Sequence, residues 1–92
     1  MGNRSRTEIV AMILNAANGG ETKTKIMYFA FLSYNQLNEY LSILIENNLI
    51  EYLDGTKTFK TTEKGLNLLK IINYHLFKIH GSLLIVIVLV YN

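Results

Sequence analysis

The stretch SYNQLNEYLSILIENNLIEYLDGTKTFKTT, residues 33–62, reads as a helix followed at once by a β-hairpin. Ser33 and, three residues later, Gln36 form a capping-box pattern, in which each side chain satisfies a free backbone N–H of the other. Leu37, Tyr40, Leu41, Leu44 and Ile45 then recur at spacings of three and four, the period of one helix face. Asn47-Asn48 predicts the end of the helix, because asparagine tolerates the left-handed conformation. Beyond it, Ile50 and Tyr52 fall on one face of a short strand. Asp54-Gly55 signals a tight hairpin turn, and Phe59 anchors the return strand.

Upstream, two more helices precede this unit. Ser5 and Glu8 repeat the capping-box pattern, and Ile9, Ile13, Ala16 and Ala17 follow at helical spacing. Asn18-Gly19-Gly20 stops that helix. A second helix is expected from Thr22 to about Ala30, with Ile26, Phe29 and Ala30 on its inner face. Downstream, Thr61-Thr62 precedes a further helix carrying Leu66, Leu69, Ile72, Leu76 and Ile79. The order helix, helix, helix, hairpin, helix predicts a mainly α fold with a small β-wing. It is an α+β winged helix-turn-helix with an extended C-terminal helix. The expected division is a winged helix-turn-helix domain over residues 4–65 and a C-terminal dimerisation helix with an apolar tail over residues 66–92.

Composition narrows the function. Half of the 92 residues are hydrophobic and 17% are charged, which excludes a disordered chain. There is no cysteine, so neither a disulfide framework nor a thiolate metal site exists. His75 and His80, five residues apart, do not stack on one helix face, and no metal site is expected. Cysteine nucleophile, phosphate-cradling glycine loop and paired His/carboxylate constellation are all missing, so the chain reads as a non-enzyme without a cofactor. The net charge of +2 is a weak basic signal. In residues 1–64, Arg4, Arg6, Lys23, Lys25, Lys57, Lys60 and Lys64 are balanced by Glu8, Glu21, Glu39, Glu46, Glu51, Asp54 and Glu63. Bulk charge therefore argues little, and the placement of the cations has to carry any case for a nucleic-acid partner.

The C-terminal segment has its own pattern. Leu69, Ile72, Leu76, Ile79, Leu83, Val86 and Val90 alternate by threes and fours, the seam of a coiled coil that would join two copies of the chain. Three readings compete for the apolar run after Gly81-Ser82: the end of a homodimer helix, a β-rich strand, or a membrane contact. The dimer helix is the preferred one. A span of about 20 apolar residues, the length a bilayer needs, is reached only by including His75, Lys78 and His80.

Asn18-Gly19-Gly20, Thr22-Lys23-Thr24-Lys25-Ile26-Met27-Tyr28, Leu32-Ser33-Tyr34, Tyr40-Leu41, Leu49-Ile50 and Thr61-Thr62-Glu63-Lys64-Gly65 occur in this order. Together they resemble the archaeal ArnR-like winged helix-turn-helix family and its relatives among small archaeal chromatin proteins. The resemblance covers roughly residues 4–72. It implies a transcription regulator or a DNA-binding chromatin protein, in some relatives dimerised by an antiparallel coiled coil of the last helix. Two positions depart from the pattern: Asn38 stands where lysine is common, and Asn48 where glycine is.

Within that fold the third helix, about residues 34–47, is the recognition helix expected in the DNA major groove. Asn35, Gln36, Asn38, Glu39 and Ser42 are expected to face outward. Asn35, Gln36 and Asn38 are the candidate base contacts, because a carboxamide can pair with the adenine edge. Their bland alternative is an ordinary solvated face. Thr22, Lys23, Thr24, Lys25 and Tyr34 are the candidate phosphate contacts near the second helix, with Lys57 and Lys60 on the wing. The wing lysines serve equally well as guards against strand aggregation. Arg4 and Arg6 read as a free arm or a soluble end. The expected function is sequence-specific binding of double-stranded DNA as a cytoplasmic, homodimeric transcription regulator. The alternative is a protein-interaction or dimerisation module without strong DNA affinity, associated with a membrane through its apolar C-terminus.

Overall fold

Local capping sets where the helices begin. The computed structural model describes residues 3–80, with side chains as far as Leu76. Helix α1 (Arg6–Ala16) opens on Ser5, whose hydroxyl accepts from the Glu8 N–H at 3.0 Å while the Glu8 carboxylate accepts from the Ser5 N–H at 2.9 Å. Thr22 caps α2 (Lys23–Phe29). Ser33 and Gln36 form the second reciprocal pair, at 3.1 and 2.9 Å, and open α3 (Tyr34–Glu46). Thr62 accepts from the Gly65 N–H at the start of α4 (Glu63–His80). Both expected capping boxes are formed.

Strands β1 (Ile50–Leu53) and β2 (Thr58–Thr61) pair antiparallel, with Ile50 opposite Thr61 and Tyr52 opposite Phe59. The Tyr52 and Phe59 rings meet at 4.9 Å between centroids, the cross-strand contact that holds the wing's register. One pairing was not foreseen. Glu21 exchanges both backbone hydrogen bonds with Phe59, at 2.9 and 2.8 Å. This bridge fixes the entry to α2 against the wing, so the two lysine-bearing segments share one frame.

The core forms around α1, which packs on α2 and α4. Ala11, Ile13, Leu14 and Ala17 are fully buried among Ile26, Leu37, Leu44, Ile50 and Leu69. A helix enclosed on several sides has apolar residues nearly all round, and α1 reads that way. On α3 the buried stripe is Leu37, Leu41 and Leu44. Ile45, expected on the inner face, is exposed instead: it lies about 100° past Leu44, off the edge of the stripe.

The C-terminal helix corrects part of the expected dimer seam. Leu69, Ile72 and Leu76 are buried in the chain's own core, on the helix that packs against α1. Periodicity identifies the buried face of a helix but not which surface buries it. The side chain of Ile79, and Leu83, Val86 and Val90 altogether, lie outside the described residues. The expected boundary after residue 65 falls within the first turn of α4, a helix that belongs to the same core. Among the described residues no helix is long and apolar enough to cross a membrane.

Candidate nucleic-acid interface

The first turns of α2 and α3 meet at the surface. Lys23 Nζ sits 4.5 Å from the centroid of the Tyr34 ring and 3.5 Å from the Tyr34 hydroxyl. Asn38, one turn further along α3, hydrogen-bonds to that hydroxyl as well. The Asn38 hydrogen bond, and after it the hydrogen bond and charge of Lys23, hold the Tyr34 hydroxyl below the usual tyrosine range. Tyr34 is 59% exposed. Its oxygen accepts from Lys23, which leaves its own proton available to an outside acceptor. A phenol made more acidic in this way is a better donor to an anionic oxygen.

Around this cluster the other candidates divide. Thr24 and Lys25 are exposed. Lys25 reaches Glu21 only at 3.9 Å with most of its side chain in solvent, an ion pair of little strength. Thr22 uses its oxygen to cap Lys25 N–H at 3.3 Å and keeps its hydroxyl proton. On the wing, Lys57 occupies the turn with a left-handed backbone (φ 54°) and a solvent-exposed side chain. Lys60 is exposed but faces Glu51 across the sheet, so its charge is partly compensated.

On α3 the candidate base contacts stand in different surroundings. Asn35 is exposed and available. The Gln36 amide oxygen already accepts from Ser33 N–H at 2.9 Å, so in this conformation Gln36 offers its NH2 donor more readily than its acceptor. Asn38 is half-buried and engaged with Tyr34. Glu39 and Ser42 face outward as expected. The sequence reading passed over Ile43, which is 59% exposed on α3. The signal was present, since the stripe of Leu37, Leu41 and Leu44 excludes Ile43 from the core. An exposed aliphatic side chain there suits contact with a thymine methyl group. Arg4, read as part of a free arm, is instead bound into the turn between α2 and α3.

Residues 3–78 match the winged helix-turn-helix family. The chain belongs to that family. Its α2–α3 pair is the helix-turn-helix, and the β1–β2 hairpin is the wing. The chain is 36% identical over 80 residues to an uncharacterised protein of Methanocaldococcus jannaschii, an alignment spanning 86% of this chain and 79% of that one. It is also similar to the crystal structure of Sso10a-2, a DNA-binding protein from Sulfolobus solfataricus. That match has a TM-score of 0.74 and 26% sequence identity, and it covers 87% of this chain and 85% of the other. The winged-helix framework explains why Lys23 and Tyr34 meet although they come from different helices. The turn between Phe29 and Tyr34 is short, and α2 is only seven residues long, so Lys23 at one end of α2 still reaches Tyr34 beyond the other.

Proposed function

We propose that this chain binds double-stranded DNA as a homodimeric, cytoplasmic transcription regulator. In this reading α3 lies in the major groove, and Lys23, Lys25, Thr24 and Tyr34 hold the flanking phosphates. The observation that carries it is the Lys23–Tyr34–Asn38 cluster at the surface, which joins the two helices of the motif and sets a cation beside an exposed, acidified hydroxyl. Likeness to a DNA-binding winged-helix protein supports the same conclusion. Asn35 and Ile43 are the base-edge contacts of first choice, Gln36 contributes a single donor, and Lys57 extends the footprint from the wing. The outer face of α4 supports the dimer, because Ile71 and Tyr74 are both about two-thirds exposed there.

A second reading has one observation in its favour. Residues 34–46 contain no lysine or arginine and two glutamates, Glu39 and Glu46. Such a recognition helix suits a protein-interaction module as well as it suits a groove reader. Fluorescence anisotropy with duplex DNA across a salt series separates the two. DNA binding is expected at low salt, with an affinity that falls linearly in log–log form as phosphate contacts release counterions. Lys23→Ala is expected to weaken binding on every sequence and to flatten the slope by about one. A chain that binds neither mixed-sequence nor promoter DNA at low salt refutes the DNA reading and leaves the interaction module.

A further inference from the structure

The turn that joins α2 to α3 contains a residue that should not be comfortable there. After Phe29, Ala30 caps α2, Phe31 takes a left-handed backbone (φ 54°), and the chain reverses into α3. Leu32 N–H donates to Met27 C=O at 3.1 Å and Phe31 N–H to Tyr28 C=O at 3.2 Å, the two hydrogen bonds of a Schellman ending. Glycine, or less often asparagine, normally fills the left-handed position, because a side chain crowds it. The end of α3 follows that rule: Asn48 (φ 61°) holds the same position, with Leu49 N–H on Leu44 C=O and Asn48 N–H on Ile45 C=O. The end of α2 does not follow it. A bulky aromatic in this region is an outlier that something else must hold.

Arg4 supplies the hold. Its guanidinium donates to the carbonyl of Ala30 and, at 2.9 Å, to the carbonyl of Phe31. The same group touches Met12 Sδ on α1 at 3.2 Å. No basic residue lies in the last turn of α2, so Arg4 brings a cation to the negative end of that helix from 26 residues upstream. We infer that Arg4 is a positioning residue for the recognition helix, clamping a strained turn so that α3 keeps one angle to α2. Arg4 then acts on DNA affinity through Phe31 and the turn, without touching a phosphate. The DNA part of this inference rests on the reading above; the clamp itself does not.

The test uses the full chain with Arg4→Ala and Arg4→Lys, alone and combined with Phe31→Gly. Glycine adopts the left-handed conformation freely, so the clamp matters less once residue 31 is glycine. Thermal unfolding is expected to show a clear fall in Tm for Arg4→Ala and a much smaller fall for the same change beside Phe31→Gly. Equal falls in the two backgrounds overturn the clamp, whether or not the chain binds DNA. In the salt-series binding assay, both Arg4 variants are expected to weaken binding to the preferred sequence by on the order of tenfold, about one charge-assisted hydrogen bond. The slope against salt is expected to stay at the wild-type value. Lysine keeps the charge but not the two-pronged geometry, so Arg4→Lys should resemble Arg4→Ala. A slope flattened by about one, or full affinity in Arg4→Lys, makes Arg4 a phosphate contact and overturns the positioning role. If the unmodified chain binds no DNA, the DNA reading fails while the unfolding cycle still decides the clamp.

Discussion

Replacing Gly65 with alanine sets two effects of opposite sign against each other. Gly65 lies in the first turn of α4, where its backbone is helical, so alanine there gains up to about 1 kcal/mol in helix propensity. Space decides otherwise. A Cβ at residue 65 would stand 2.2 Å from the Leu49 carbonyl oxygen and 2.7 Å from Thr61 Cγ2. A carbon and a carbonyl oxygen need roughly 1 Å more than that, and both the carbonyl and the glycine are backbone, so no rotamer change relieves the clash. Leu49 C=O also accepts from Thr62 N–H at 3.0 Å, the bond that ties the exit of α3 to the entry of α4. Moving the two chains apart weakens that bond and opens the packing around it. Overpacking of this kind costs about 1–3 kcal/mol or more, and a lost hydrogen bond about 1 kcal/mol. After the propensity gain, a net loss of about 2 kcal/mol is expected, or roughly 8–16 °C in Tm for a domain of this size. Thermal unfolding followed by circular dichroism measures it, with Asn67→Ala as the exposed control on the same helix. A Gly65→Ala chain that melts at or above the wild-type temperature refutes the close approach of α4 to Leu49.

Two further outcomes follow from single contacts. Thr61 donates from Oγ1 to the Leu14 carbonyl at 2.6 Å in the buried core, so Thr61→Val should destabilise the fold by about 1–3 kcal/mol in a denaturant titration, and an unchanged midpoint contradicts the contact. Tyr34 should lose its proton at lower pH than an ordinary tyrosine, and Asn38→Ala and Lys23→Ala should each move it back up, as read by NMR of labelled tyrosine rings; a Tyr34 that titrates in the ordinary range and ignores both substitutions shows that the cluster does not form.

What could be read in advance divides by sequence distance. The capping boxes of Ser5 and Ser33 and the glycine stop after α1 are local, and a few adjacent residue types suffice to produce them. The hairpin forms where Asp54-Gly55 signals it, but over the four residues 54–57 with Lys57 rather than Gly55 in the left-handed conformation. The Glu21–Phe59 bridge joins segments 38 positions apart and depends on backbone groups that every residue carries, so composition gives no hint of it. The burial of the first three seam positions has a related cause. Leu69, Ile72 and Leu76 mark one face of α4 as apolar, but α1 and a second chain are equally good covers until the fold decides. At the interface, Lys23 and Tyr34 were both legible as phosphate candidates, whereas their contact across two helices was not. Gln36 carries two readings at once, a cap and a base contact, and the structure shows its amide oxygen engaged in the cap.

The cations tell the most about how such a domain works with so little net charge. Lys64 donates to Asn47 C=O at 3.0 Å and Thr62 to Asn48 C=O at 2.7 Å, closing the end of α3. Arg4 does the same for Ala30 and Phe31 at the end of α2. In each case the two carbonyls that a Schellman ending leaves open receive side-chain donors from a distant segment. Neither helix carries a basic residue in its own last turn, so both depend on a cation brought from elsewhere. Arg4 and Lys64 are therefore structural charges, and counting them toward DNA attraction overstates the basic surface. Half-buried Lys23 and exposed Lys25 stand beside the helix-turn-helix, and exposed Lys57 at the wing tip. A small set of phosphate contacts predicts a shallow salt dependence and weak nonspecific affinity. In the proposed reading, affinity then comes from holding α3 at a fixed angle and from presenting two copies of it together. The clamped ends of α2 and α3 would supply the first requirement, and a dimer built on the outer face of α4 the second.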